Sequence, residues 1–253
     1  MKNDLEKDSL NYTELANKYN ISRPTVRAYA KRLGLHKGNT KRLKKHSLNI
    51  NYFDAIDTPN KAYILGFIYA DGCNTRNGLQ IGIQEEDKEV LEFIKSELNI
   101  SNALRYIKPA NINWKPKWEL SIRSIEFSKV LTDVGCPPAK SLILSFPDFI
   151  HDDLMPHFIR GYFDGDGCIT ICKKGYGRLY FTCGSEDFTV GLRNYFYKTT
   201  GYLIPMYKYS CYSLMTSKQD VVKSIINLMY TNSTFSMQRK FKKASVLLVE
   251  KGG

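Results

Sequence analysis

The sequence predicts an α+β chain. Two pseudo-symmetric αββαββα halves, at 51–150 and 151–253, follow a small all-α module at 1–36 and a basic linker at 37–50. Three observations lead there. Ile64-Leu65-Gly66-Phe67-Ile68-Tyr69-Ala70-Asp71-Gly72 and Ile159-Arg160-Gly161-Tyr162-Phe163-Asp164-Gly165-Asp166-Gly167 share one pattern, an apolar run closed by Asp-Gly, and their last aspartates lie 95 residues apart. The segments after the two runs also repeat each other, which marks a tandem duplication. Finally, the first 50 residues hold twelve Lys/Arg against four Asp/Glu, and no acid occurs from Leu15 to Phe53.

In the N-terminal module, Thr13 to Tyr19 predicts a helix with Leu15, Ala16 and Tyr19 inward. Asn20 takes a tight turn plugged by Ile21. Ser22 caps a second helix, with Pro24 near its start, where a missing N–H costs little. Val26, Tyr29, Ala30 and Leu33 then face inward, and Gly34 stops the helix. Arg23, Thr25, Arg27 and Lys31 are left for a groove. The arrangement resembles the helix-turn-helix of resolvase and repressor families. Lys41, Arg42, Lys44 and Lys45 follow in a stretch without apolar periodicity, a tether suited to tracking a phosphate backbone.

Each half then unfolds in the same order. Thr58-Pro59 supplies a cap and first-turn proline for a motif helix of about 12 residues, roughly 18 Å long. Small residues at matching positions, Gly66 and Ala70 against Gly161 and Gly165, let the two motif helices touch backbone to backbone. Glycine suits a left-handed helix end, so Gly72 and Gly167 are expected in that conformation, with Asp71 and Asp166 brought together. Alternating strands come next at 79–83 and 179–183, then helices opened by Glu86-Asp87 and Glu186-Asp187. Further strands occupy 118–122 and 212–216. Ser124 caps the next helix, and Ser217 with Asp220 makes the same signal in the second half. Trp114 and Tyr176 fall in hairpin tips, where packing at the core edge is the plain expectation.

At this point the chain resembles the LAGLIDADG homing endonucleases, in the single-chain form with two motifs, from Asn51 onward. The resemblance implies a saddle of antiparallel sheets on double-stranded DNA, with the motif helices as the interface of a monomer. It makes Asp71 and Asp166 the metal ligands, with Mg²⁺ bound and Mn²⁺ able to substitute. Cleavage of both strands across the minor groove, leaving 3′ overhangs, would follow. Lys140 and Lys240 fit the family's active-site lysines, placed to stabilise phosphorane charge or orient water. One departure stands out: the penultimate acid is Asp164 in the second motif but Tyr69 in the first. Helical phase assigns that position to packing or capping.

Alternation turns Gln80, Gln84, Arg178, Tyr180 and Thr182 outward, and Arg105, Lys117 and Arg123 are further candidates for DNA contact. An intron RNA maturase and a DNA-binding transcription regulator are the alternative readings of the same fold. Duplex DNA is favoured by the recognition-helix pattern, because the A-form major groove is too narrow for a helix.

The bulk composition agrees. A net charge of +12, from 37 Lys/Arg against 25 Asp/Glu, calls for a polyanionic partner. The longest apolar run, Ala62 to Ala70, is too short to span a bilayer, and no signal peptide opens the sequence. Six cysteines without a Cys-x-x-Cys pair suit free thiols in a reducing cytoplasm, bacterial or phage-encoded.

Overall fold

The computed structural model describes residues 1–6, 10–35, 47–109, 111 and 113–248. The chain divides into two compact units, Met1–Lys45 and His46–Gly253. Lys41, Arg42, Lys44 and Lys45 lie outside the described residues.

The first unit holds helices α1 (Lys2–Glu6), α2 (Tyr12–Lys18) and α3 (Arg23–Arg32) around Leu5, Leu15, Ala16, Val26 and Ala30. Asn11 and Glu14 form a reciprocal capping box at the start of α2. Asn20 takes φ +49° in the turn, Ser22 accepts from the Thr25 N–H at 3.3 Å, and Gly34 ends α3 at φ +69°. Helix α1, five residues with Leu5 alone buried, is too short for its apolar spacing in the sequence to announce it. Tyr19, expected inward, is exposed instead, and its hydroxyl donates to Asp4 at 2.7 Å.

The second unit begins earlier than the sequence suggested. The Ser47 N–H donates to Ser101 Oγ (2.9 Å) and the Asn49 N–H to the Leu98 carbonyl (2.9 Å). Residues 47–50 therefore belong to the folded unit and not to the linker, because Tyr52 and Phe53 just beyond them are buried in its core. The first half runs α4 (Pro59–Asp71), β1 (Gly72–Asn74), β2 (Gly78–Gln84), α5 (Lys88–Glu97), β3 (Arg105–Ile107), β4 (Lys117–Arg123) and α6 (Ile125–Asp133). The second runs α7 (Met155–Asp166), β5 (Gly167–Ile171), β6 (Gly177–Cys183), α8 (Glu186–Thr200), β7 (Met206–Lys208), β8 (Tyr212–Thr216) and α9 (Gln219–Tyr230). A further helix, α10 (Gln238–Leu248), comes after it. Each half forms one four-stranded antiparallel sheet, in the orders β1-β2-β4-β3 and β5-β6-β8-β7.

Alternation explains the burial. Leu79, Ile81, Ile83, Leu120 and Ile122 point inward from the first sheet, and Ile169, Leu179, Phe181 and Leu214 from the second. Thr58 caps α4 with Pro59 at its first position, and Ser124 caps α6. Ser217 does not cap α9; Lys218 stands at the cap. The Gln219 amide instead donates to the Ser217 carbonyl (2.6 Å) and brackets Gly177 across the sheet (2.8 and 3.0 Å). Trp114 and Tyr176 are 68% and 54% exposed. Among the described residues, no helix is long and apolar enough to cross a membrane.

Helices α4 and α7 cross at the centre. A methyl added at Gly66 would overlap the Phe158 carbonyl oxygen, and one at Gly161 the Tyr63 carbonyl oxygen. One at Gly165 would overlap Ala70 Cβ. Backbone contact of this kind needs glycine, since any Cβ would force the helices apart.

Candidate functional site

Asp71 and Asp166 are the last residues of α4 and α7, at the same end of the crossing. A Cβ at Gly165 would stand 3.3 Å from Asp71 Oδ2, which places that carboxyl against the residue preceding Asp166. Desolvation, then the negative charge of Asp166, pushes Asp71 up to about 6; Lys240 and Lys140 oppose the rise. Desolvation also raises Asp166, against the same two lysines. Two carboxylates held this way resist ionising together unless a cation joins them.

Neither motif helix ends as the sequence reading required. Gly72 (φ −73°, ψ 134°) and Gly167 (φ −80°, ψ 157°) are extended, not left-handed, and each helix runs directly into a strand. The glycines answer to space: a Cβ at Gly72 would crowd Ile68, and one at Gly167 would crowd Phe163. Without a left-handed turn, the last helical carbonyls need other donors.

The lysines supply them. Lys140 Nζ donates to the carbonyls of Tyr69 (2.6 Å) and Ala70 (3.0 Å). Lys240 Nζ reaches those of Phe163 (2.6 Å), Asp164 (2.7 Å), Gly165 (3.2 Å) and Gly167 (2.6 Å). Both side chains are buried, and desolvation lowers the Lys240 pKa. Lys140 and Lys240, expected near the active site to stabilise phosphorane charge or orient water, have their ammonium groups taken up by helix-end carbonyls. They close the helix ends and place positive charge under the aspartates.

Asp164 is buried, and its partners lie outside the acid pair. Its Oδ2 accepts from the Tyr63 hydroxyl (2.8 Å) and the Met237 N–H (2.8 Å). This is the fastening role that its helical phase indicated. Burial raises it to about 6. Arg160, also buried, donates to the carbonyls of Phe235 (2.9 Å) and Met229 (2.8 Å).

Two contacts went unseen in the sequence. The Asn74 amide donates to the Ser128 (3.0 Å) and Cys136 (2.9 Å) carbonyls, fixing the segment that carries Lys140. Arg239 grips the buried Asp87 with two bonds (3.0 and 2.7 Å), tying the second half to the first. No spacing in a single sequence announces a pair 152 residues apart.

The outward sheet faces hold most of the proposed contacts. Gln84, Lys117 and Arg123 are exposed, and Gln80 is half-buried in a row with Cys73 and Ser121. Its counterpart in the second sheet is Tyr180, in a row with Cys168 and Met215. Arg178 is exposed and donates to the Tyr180 hydroxyl (3.0 Å). Two candidates are already engaged. Arg105 pairs with Glu119 at 2.5 Å, and the Thr182 hydroxyl donates to the Asp166 carbonyl at 3.1 Å. In the first unit, Arg23, Thr25, Arg27 and Lys31 all lie on exposed positions of α3.

Among the described residues, no cluster of three or more His, Cys, Asp or Glu forms a metal site. Two carboxylates still fit magnesium, which takes one or two from the protein and fills its shell with water and phosphate oxygens.

Comparison with known proteins supports the architecture. The homing endonuclease I-WcaI, bound to its DNA recognition sequence, superimposes with a TM-score of 0.59 at 15% identity, covering 88% of this chain and 99% of that one. The I-LtrWI LAGLIDADG homing endonuclease bound to target DNA gives 0.50 at 13%, covering 79% and 90%. Full-length DUF199/WhiA from Thermatoga maritima gives 0.51 at 13%, covering 81% and 66%. A probable translation initiation factor IF-2 from Methanocaldococcus jannaschii is 28% identical over 138 residues, 51% of this chain. The chain spans 11% of that relative's length. No family model matches the sequence.

Proposed function

From a LAGLIDADG fold as premise, we propose that this chain is a site-specific, metal-dependent DNA endonuclease that cuts both strands and leaves 3′ overhangs. One observation carries the reading: Asp71 and Asp166 end two helices in backbone contact, with each carboxyl's pKa raised. Asp71 and Asp166 would hold Mg²⁺, or Mn²⁺ in its place. Such a cation supplies charge neutralisation at the scissile phosphate and acidifies water for in-line attack. The protein's own part is positional. The α4–α7 crossing sets the separation of the carboxylates, and Thr182 braces the backbone at Asp166. Lys140 and Lys240 hold the helix ends and favour ionised aspartates. Gln80, Gln84, Lys117, Arg123, Arg178 and Tyr180 present donors, acceptors and charge to a duplex laid on the sheets.

A helix-turn-helix at residues 10–35 extends the contact, with Arg23, Thr25, Arg27 and Lys31 toward DNA. Replacing Arg23, Arg27 and Lys31 by alanine should flatten the dependence of log affinity on log salt by about 0.9 per lost phosphate contact. An unchanged slope removes the module from the interface. The chain acts as a monomer, its internal repeat standing where a second subunit would, in keeping with intron homing.

The deciding experiment incubates the chain with Mg²⁺ and a plasmid library of random sites, beside Asp71→Asn and Asp166→Asn. Linear product from the unaltered chain alone supports the nuclease. Binding without cutting supports the second reading, a DNA-binding protein on the same fold, which the carbonyl-bound state of both lysines favours.

A further inference from the structure

Between the halves, the chain makes a 3-10 turn at Lys140–Leu142, anchored beneath α4 by the ammonium of Lys140. The Ile143 N–H closes that turn on the Lys140 carbonyl at 2.9 Å. Leu144 is buried, and its carbonyl accepts from Ser185 Oγ at 2.5 Å. Two aliphatic side chains stand out of this braced turn, Leu142 at 75% and Ile143 at 63% exposure. Water is a poor neighbour for both.

Their place is set by Gly184. In the sheet registers Gly72 faces Ile81 and Gly167 faces Phe181, so Gly184 corresponds to Gln84 and continues the outward series of Tyr180 and Thr182. A Cβ on Gly184 would meet the Ser141 carbonyl oxygen at 2.5 Å and Leu142 Cδ2 at 3.1 Å. Leu142 therefore lies on the outward side of the second sheet, at the end where Thr182 holds the Asp166 backbone. Lysine Nζ contacts also fix Lys240 in the other half, but it lies in helix α10, where the residues two and three places on are the exposed Lys242 and Lys243. A phosphate suits those lysines and offers nothing to leucine or isoleucine. The apolar surface a duplex can offer at its centre is the stacked face of a base step, reached by aliphatic wedges through the minor groove.

We propose that Leu142 and Ile143 form an apolar wedge that enters the minor groove beside the acid pair and opens one base step on that side only. This rests on the DNA-binding part of the proposed function for its substrate. The wedge bends the duplex toward the aspartates.

The test uses the full chain and a duplex selected from a random library by binding in Ca²⁺, with 2-aminopurine placed in turn at each central position. Binding should raise fluorescence several-fold at one off-centre step. L142A/I143A should lose most of that rise and cut about tenfold more slowly, with an unchanged melting temperature. No rise with the unaltered chain, or an equal rise with L142A/I143A, overturns the wedge. So does altered sedimentation of free L142A/I143A, which would show that the pair covers protein. Asp71→Asn with Asp166→Asn should keep the full rise. If the rise is present while the unaltered chain cuts nothing in Mg²⁺, the nuclease reading fails and the wedge stands.

Discussion

Tyr63 and Asp164 occupy the same two places, under the internal repeat, as Phe158 and Tyr69. The first pair is joined by a 2.8 Å hydrogen bond, the second by an edge-to-face ring contact at 5.0 Å. The residue two places before each last aspartate also ties its helix to the segment leading to a lysine. Asp164 does so by accepting from the Met237 N–H, and Tyr69 by donating to the Val134 carbonyl at 2.8 Å. The task has been kept while the polarity of the bond has reversed. The repeat preserves the geometry of the helix ends, not the chemistry that secures them.

The sharpest way to break that comparison is at the aspartates, where both halves must agree. If Asp71 and Asp166 hold the proposed cation, losing either removes several kcal/mol of transition-state stabilisation, so Asp71→Asn and Asp166→Asn should each slow cutting of both strands by about a thousandfold or more. Strand-resolved gels check this. If one substitution spares one strand at the original rate, the halves hold separate centres.

Next come the lysines. Lys240→Met takes a donor from the carbonyls of four residues, of which Phe163 keeps the Gly167 N–H, and Lys140→Met takes one from those of two. An unsatisfied buried acceptor costs about 1–3 kcal/mol. Denaturant titration should show Lys240→Met as the more damaging. Equal losses would mean that the ends are secured alike. Smaller still, Tyr69→Phe gives up one bond, about 1 kcal/mol, while Asp164→Leu strands two donors, about 3 kcal/mol.

The mildest effect is a pH trend. Asp71 and Asp164 titrate near 6 in the fold, above the ordinary carboxylate range. Their protonated forms stabilise the native state, fully below about pH 4, and that contribution is lost as pH rises through about 6. The melting temperature without metal should therefore fall from about pH 5 to about pH 7.5. Mg²⁺ should recover part of it through Asp71 and Asp166. Asp164→Asn should reduce the fall and keep the Mg²⁺ response, whereas Asp71→Asn should lose most of that response. Identical behaviour of the two would place Asp164 in the metal centre.

The duplication, the succession of elements along each half and the helix contact were legible because they repeat local patterns: alternation, small residues four apart, a closing aspartate. Gly66 and Gly161 needed no structure to be paired. Other features were hidden for physical reasons. Asp-Gly at a helix end suggests a left-handed cap, yet Gly72 and Gly167 serve close packing while a distant ammonium satisfies the carbonyls. A lysine that caps from 70 residues away looks, in sequence, like any surface lysine. Arg105 and Thr182 face outward as alternation requires, but their partners Glu119 and the Asp166 carbonyl come from pairing register, which one chain alone does not display.

The passage from α4 into β1, and from α7 into β5, contains no joint. Asp71 is followed at once by a strand residue, as is Asp166. Any tilt of a sheet is thereby transmitted to its carboxylate as a lever turns its fulcrum end. On the proposed function, a duplex that seats badly far out on either wing would spoil the spacing of the acids at the centre, so discrimination among sites should be steeper in cutting than in holding.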